Sequence, residues 1–348
     1  MSVVEEYDRI LQPRSAQGLV GAEKLQSVFL DALGHGRLHH AWLIGGPDSC
    51  GKATFAYQVA KFLLDHQFAV WDAAPKVQDL SVASDSRAAA KISAGSHSDL
   101  LLLSRRWDAD SKRMTAGIPV NDVRRLTQFL GSTAGEGGWR IVIVDKVDDM
   151  APAAANALLK SLEEPPSNCL FLLISDNIQR LLPTIRSRCR KAMLPRPTDV
   201  EVATILQAQM EDFDAAEFAL VEGLADGRVR YAMDLLATDH GDLRHDMQAR
   251  LEEPPGDLKN LHALADALCL RGRDALFAEF LERARLFVHN RAKAVAGQGA
   301  VNPWIDVWDV LDRQQRETET YNLDKKQLIL NLFALLNKAK HAAALSPA

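Results

Sequence analysis

The segment "AWLIGGPDSCGKATFAYQVAKFLL", residues 41–64, constrains the fold more than any other part of the chain. A short apolar run ends in glycine and a polar loop follows. Apolar residues then recur at helical spacing, with Phe55, Val59 and Phe62 on one stripe and Ala56, Ala60 and Leu63 beside it. That order predicts strand, loop, helix. Gly46, four further residues, Gly51 and Lys52 reproduce all but the last position of Gly-x-x-x-x-Gly-Lys-[Ser/Thr]. Such a loop cradles phosphate because backbone N–H groups converge at a helix N-terminus and the lysine reaches the terminal phosphates. The last position should hold Mg²⁺ through a hydroxyl, and it is Ala53. Thr54 carries the nearest hydroxyl and joins the candidate set. It lies one residue on, about 100° around a helix, so it does not replace the missing ligand without a change in the loop.

Two more apolar runs, "WRIVIVD" (139–145) and "CLFLLIS" (169–175), read as strands buried on both faces of a parallel sheet. Between them "APAAANALLKSLEEPP" (151–166) predicts a helix that Pro165 terminates. Strands alternating with helices argue for an α/β fold with right-handed crossovers. Asp145, at the end of the second strand, suits a metal-binding acid; the alternative reading is a strand-end acid that caps the next turn. The position after it, where a hydrolytic site would place a water-polarising glutamate, is Lys146. A lysine cannot act as that base, and its charge competes with the metal. Hydrolysis therefore fails at two independent positions, Ala53 and Lys146. Residues 66–116 are less regular and read as a loop with a short helix, and His97 within them reads as a surface residue rather than a ligand.

After "LPRP" (194–197) the strand signal stops. Thr198 and Glu201 form a capping box, Asp214 and Glu217 have similar spacing, and a short helix is expected at 228–237. Residues 250–257 read as a linker, followed by four helical patterns. Their faces are Leu261, Leu264, Ala265 and Leu268; then Leu276, Phe277, Phe280, Leu281, Ala284 and Phe287; then Trp304, Trp308 and Leu311; and last Leu328, Leu332 and Leu335, in a helix opened by Asn322 and Asp324. The expected division is 1–197, α/β; 198–245, a helical lid; and 246–348, an all-α C-terminal domain.

The net charge of −5 gives no global electrostatic footprint for nucleic acid. The acidic N-terminus has no apolar core of a signal peptide, and the longest apolar runs are too short to cross a bilayer. Cys50, Cys169, Cys189 and Cys269 include no short-range pair, so neither a disulfide framework nor a zinc knuckle is expected. A cytoplasmic chain with no membrane partner and no metal site fits these features.

"HAWLIGGPDSCGKAT", "VIVDKVDDM", "ANALLKSLEEPP" and "LLPTIRSRCR", in this order, resemble the AAA+ clamp-loader subunits of bacterial DNA polymerase III, the delta-prime branch most closely. The resemblance is strongest over 20–197. It implies an AAA+ P-loop α/β domain with a parallel sheet, a helical lid, and a C-terminal helical collar that joins a five-subunit ring. The implied partners are gamma/tau-like ATPase subunits and a delta-like subunit, with the sliding clamp and primed DNA reached through the complex. Delta-prime members are the non-hydrolysing ones and lend an arginine to a neighbour's ATP. Ser187-Arg188-Cys189 matches the family's Ser-Arg-Cys motif, which makes Arg188 the candidate finger acting in trans; a permanently charged planar guanidinium suits that role. On the residues alone, Arg188 reads as part of a solvated basic loop with Arg186, Arg190 and Lys191. Ser175 falls at the sensor-1 place, or simply caps a strand. Arg230 falls at the sensor-2 place, or decorates a helix. Many relatives carry a four-cysteine zinc module, but no cysteine occurs from 51 to 168, so no zinc is expected. No cofactor is required on this reading. ATP held without turnover at Gly46, Gly51, Lys52, Thr54 and Asp145 stays open, as does an active AAA+ motor subunit. A P-loop kinase or transferase fits the Ser-Arg-Cys motif and the C-terminal helices less well.

Overall fold

The computed structural model describes residues 12–66, 78–210, 214–236, 240–253, 258–295 and 302–345, with short interruptions inside these stretches. Asn322 and residues 1–11 lie outside them. By its internal contacts the chain forms two compact units. One comprises 1–213 with 226–237, the other 214–225 with 238–348.

In the first unit, helix α1 (Glu23–Gly34) precedes strand β1 (Ala41–Gly45), all of whose residues are buried. Helix α2 (Lys52–His66) buries the stripe that its spacing predicts, and Tyr57, Gln58, Lys61 and Leu64 as well. It is covered nearly all round. Lys61 meets this by donating to the Ala16 carbonyl at 2.9 Å, and burial pulls its pKa down. The stretch 66–116 holds the expected short helix, α3 (Arg87–Ser93), capped by Ser86 Oγ accepting from the Ala89 amide. It also holds a strand that sequence reading missed, β2 (Leu100–Leu103), and the antiparallel pair β3 (Trp107–Asp108) and β4 (Arg113–Met114). His97 is 6% exposed, with Nδ1 accepting from the Asp99 amide, so it belongs to the interior and not to the surface.

Helix α4 (Val120–Gly131) leads to β5 (Arg140–Val144), and α5 (Pro152–Glu163) leads to β6 (Cys169–Ser175). Pro152 occupies the first turn of α5, where a missing N–H costs nothing, and the helix stops two residues before Pro165. A single-turn helix, α6 (Pro183–Arg186), precedes β7 (Arg190–Met193).

The strands form one parallel sheet in the order β2-β5-β6-β1-β7. Successive residues of the central strands face opposite apolar layers. Trp42, Ile44, Ile141, Ile143, Leu170 and Leu172 join the layer with Phe29, Phe55 and Phe62. Leu43, Val142, Val144, Phe171 and Leu173 join the layer with Leu126 and Leu158. Both faces are covered, which is why the central strands read as unbroken apolar runs.

Helix α7 (Asp199–Gln209) opens on the complete capping box of Thr198 and Glu201. Helix α8 (Ala215–Val221) is capped by Asp214, whose carboxylate accepts from the Ala216 amide at 2.7 Å, and α9 (Val229–Leu236) follows. α7 and α9 belong to the first unit, α8 to the second. There it joins α10 (Gly241–Glu252), α11 (Leu258–Leu268), α12 (Asp274–Ala294), α13 (Asn302–Tyr321) and α14 (Lys325–Leu345). The expected linker at 250–257 is shorter than predicted: α10 runs through Leu251, which is fully buried, and 254–257 lie outside the described residues. The predicted face of α11 is inside; α12 buries its own except that Phe287 is only partly covered, and on α14 Leu328 and Leu332 are inside while Leu335 is only partly covered and Leu336 takes the core position. On α13, Trp304 and Leu311 are buried but Trp308 is 41% exposed, and Val307 takes the core position. The stripe advances by three and then four residues from Trp304, so 307 faces inward and 308 does not. Asp324 caps α14 by accepting from the Lys326 amide. Among the described residues, no helix is long and apolar enough to cross a membrane.

Candidate functional site

β1 delivers the chain to the loop at Gly45, and α2 takes it away at Lys52. Gly46 has φ +154°, and a Cβ there would lie 2.6 Å from the Leu194 carbonyl oxygen and 2.8 Å from Cys50 Sγ. Gly51 has φ +89°, and a Cβ there would meet Leu19 at 2.6 Å. Backbone conformation favours glycine at both positions, and at Gly46 the approach of the Leu194 backbone requires it as well. Lys52 is only 6% exposed. Its ammonium donates to the Gly46 carbonyl at 2.9 Å and to the Pro47 carbonyl, and it pairs with Asp176 Oδ1 at 2.9 Å. An ammonium has three donors, and these partners account for all three. The loop has the shape the motif predicts, but its lysine is bound from within.

Asp176 links this lysine to a second one. Its Oδ2 lies 3.0 Å from Lys146 Nζ, which also stands 3.7 Å from Asp48 Oδ1. Burial works against the charge of Asp176, but hydrogen bonds and charge from Lys52 and Lys146 outweigh it and hold the carboxyl below its usual range. For Lys146, burial opposes the charged form and Asp176 overcomes it, so its pKa rises. Lys146 adopts the left-handed conformation, with φ 59°, directly after Asp145. Asp145 itself is shifted upward, chiefly by burial, against the opposing charge of Lys146. Its amide donates to the Leu103 carbonyl at 2.8 Å.

Ser175 is fully buried at the end of β6, and its hydroxyl donates to Asp148 Oδ1 at 2.9 Å. Asp148 also accepts from the amides of Asp176 at 3.0 Å and Asn177 at 3.3 Å. Asp148 therefore caps the strand end and fixes the backbone that presents Asp176. Ala53 packs its methyl against the apolar layer around Phe55, and Thr54 sits partly buried in the first turn of α2. Asp176 and Asp148 are the site residues that sequence reasoning missed. The available signal was their position: both follow the carboxyl ends of parallel strands, where α/β proteins place their ligands.

Residues 21–198, just over half of the chain, match the family described as "DNA polymerase III, delta subunit". The chain belongs to the DNA polymerase III delta-subunit family. Among its relatives, subunit delta-prime of DNA polymerase III from Pseudomonas aeruginosa is 35% identical over 172 residues, 49% of this chain and 48% of that protein. The delta-prime subunit of Escherichia coli is 32% identical over 230 residues, 66% of this chain and 64% of that one. The tau subunit of Bacillus subtilis is 28% identical, across 66% of this chain and 38% of its own length. In each case the match spans less than two thirds of the relative.

Two segments that carry the family resemblance meet in a single ion pair. Arg188 follows α6, with its amide bonded to the Ile185 carbonyl at 3.1 Å and Nη1 donating to the Thr184 carbonyl at 3.0 Å. Its Nη2 lies 2.7 Å from Oε1 of Glu163, the last residue of α5 and part of "SLEEPP". The Arg188 side chain is 35% exposed and Glu163 is 48% exposed. The neighbouring Cys189 is partly buried against the apolar layer around Phe171, and burial pushes its thiol up to about 12. Arg230 lies on α9 and donates to Asp234 one turn on, at 3.1 Å.

Proposed function

We propose that this chain is a non-hydrolysing, delta-prime-like subunit of a DNA polymerase III clamp loader. On this reading it assembles with gamma/tau-like ATPase subunits and a delta-like subunit, and the complex places a sliding clamp on primed DNA. It needs no cofactor of its own. The observation that carries the reading is the state of Lys52: the one cation the loop retains is spent on two loop carbonyls and Asp176. Ala53 and Lys146 support it, because the first removes the Mg²⁺ ligand and the second puts a cation where the water-polarising acid belongs. The working residue is then Arg188, half-exposed at the end of α6 and free to exchange Glu163 for a neighbour's phosphate oxygens.

Reconstitution tests this. Arg188→Ala is expected to assemble normally but to lower DNA- and clamp-stimulated ATP hydrolysis by the partner subunits by at least about tenfold, below the full effect of an arginine finger in GTPases. Hydrolysis at the wild-type rate by the assembled variant complex would refute the assignment.

A further inference from the structure

We infer that the Lys52–Asp176–Lys146 bridge is an autoinhibitory contact, in which the carboxylate of Asp176 stands in for phosphate and keeps the loop from accepting a polyphosphate. This does not depend on the role given to Arg188, since it concerns only the chain's own loop. Three observations carry it. First, the donors of Lys52 are matched by acceptors already present in the loop and at Asp176. Second, the one carboxylate binds two lysines through its two oxygens, at 2.9 and 3.0 Å, as a phosphate would bridge them. Third, Asp176 is held in place by its backbone: its amide and that of Asn177 are fixed by Asp148, which also accepts from the buried Ser175. A polyphosphate approaching Lys52 therefore meets a fixed negative charge and must break an existing ion pair. The side chain of Asp176 is 31% exposed, so the contact is open to exchange from solvent.

Neutralising Asp176 should unlock the loop. Binding of inorganic tripolyphosphate, and of ATP in parallel, is measured by calorimetry on the full chain without Mg²⁺. Asp176→Asn and the smaller Asp176→Ser are expected to bind at least about tenfold more tightly than the wild type, the scale of one charged hydrogen bond regained. Adding Lys52→Ala to Asp176→Asn should abolish the gain. Folded variants that gain no affinity, or a gain that survives loss of Lys52, would overturn the inference. The unaltered chain gives a reading that does not rely on the folding of any variant. Tripolyphosphate below millimolar concentration should leave the acylation rate of Lys52 unchanged, and protection of Lys52 under those conditions would also overturn it.

Discussion

Gly46 has no room for a methyl group. Its φ of +154° is a region that L-residues rarely occupy, and an added Cβ would overlap the Leu194 carbonyl, which is backbone and cannot swing aside. Gly46→Ala is expected to cost about 2–4 kcal/mol, read as a lower urea midpoint. An unchanged midpoint would mean that the loop repacks freely. Tyr57, 8% exposed on α2, gives a pH signature. Burial, with help from the nearby charge of Asp145, pushes its phenol up to about 12 from an ordinary 10. The folded state holds the neutral form, so the stability that Tyr57 contributes is complete below pH 10 and is lost as pH rises toward 12. Absorbance near 295 nm should show Tyr57→Phe removing a phenol that ionises at about 12. At this scale Gly46, Gly51, Lys52 and Ala53 were legible, because a motif fixes their spacing. Asp176 was not. Its meeting with Lys52 depends on the sheet register that sets Gly45 beside Ser175, and no local pattern encodes that register.

The elements divide by how fully they are buried. β1, β5 and β6 were legible because both faces are covered, which leaves apolar runs with few other readings. The edge strands escaped notice for other reasons. β7 spells Arg-Lys-Ala-Met with only Ala192 inside, a short charged edge of the kind that protects a sheet from further pairing and erases its sequence signal, whereas β2 is four leucines with Leu102 exposed, an apolar run too short for periodicity to mark it as a strand. In the helical unit, Arg244 of α10 and Arg283 of α12 both bind Glu279, and all three are at least 95% buried. Removing the shared carboxylate leaves two guanidinium groups without it inside the unit. Glu279→Gln is expected to cost about 3–5 kcal/mol in denaturant unfolding, far more than an exposed pair would. A change below about 1 kcal/mol would show that other acceptors hold these arginines.

For the whole molecule, the order of the chain and the order of its packing differ. α8 lies between two helices of the first unit in sequence, yet its contacts place it with the C-terminal helices. Periodicity and capping signals found all three of these short helices; which unit each joins is a long-range property that they do not carry. Phe218, Val221, Leu224 and Ala225 are buried. A fragment of residues 214–348 should therefore melt at a higher temperature than one of 238–348, followed by helical circular dichroism. Equal melting temperatures would mean that α8 adds nothing to the second unit.

The outward turn of Trp308 has an optical consequence. Trp42, Trp139 and Trp304 are at most 3% exposed, so their emission is shielded from solvent quenchers, whereas Trp308 presents its indole to water along α13. The helix thus carries a native fluorophore: coverage of that face of α13 by another chain would shift its emission to the blue and slow iodide quenching, with no label attached.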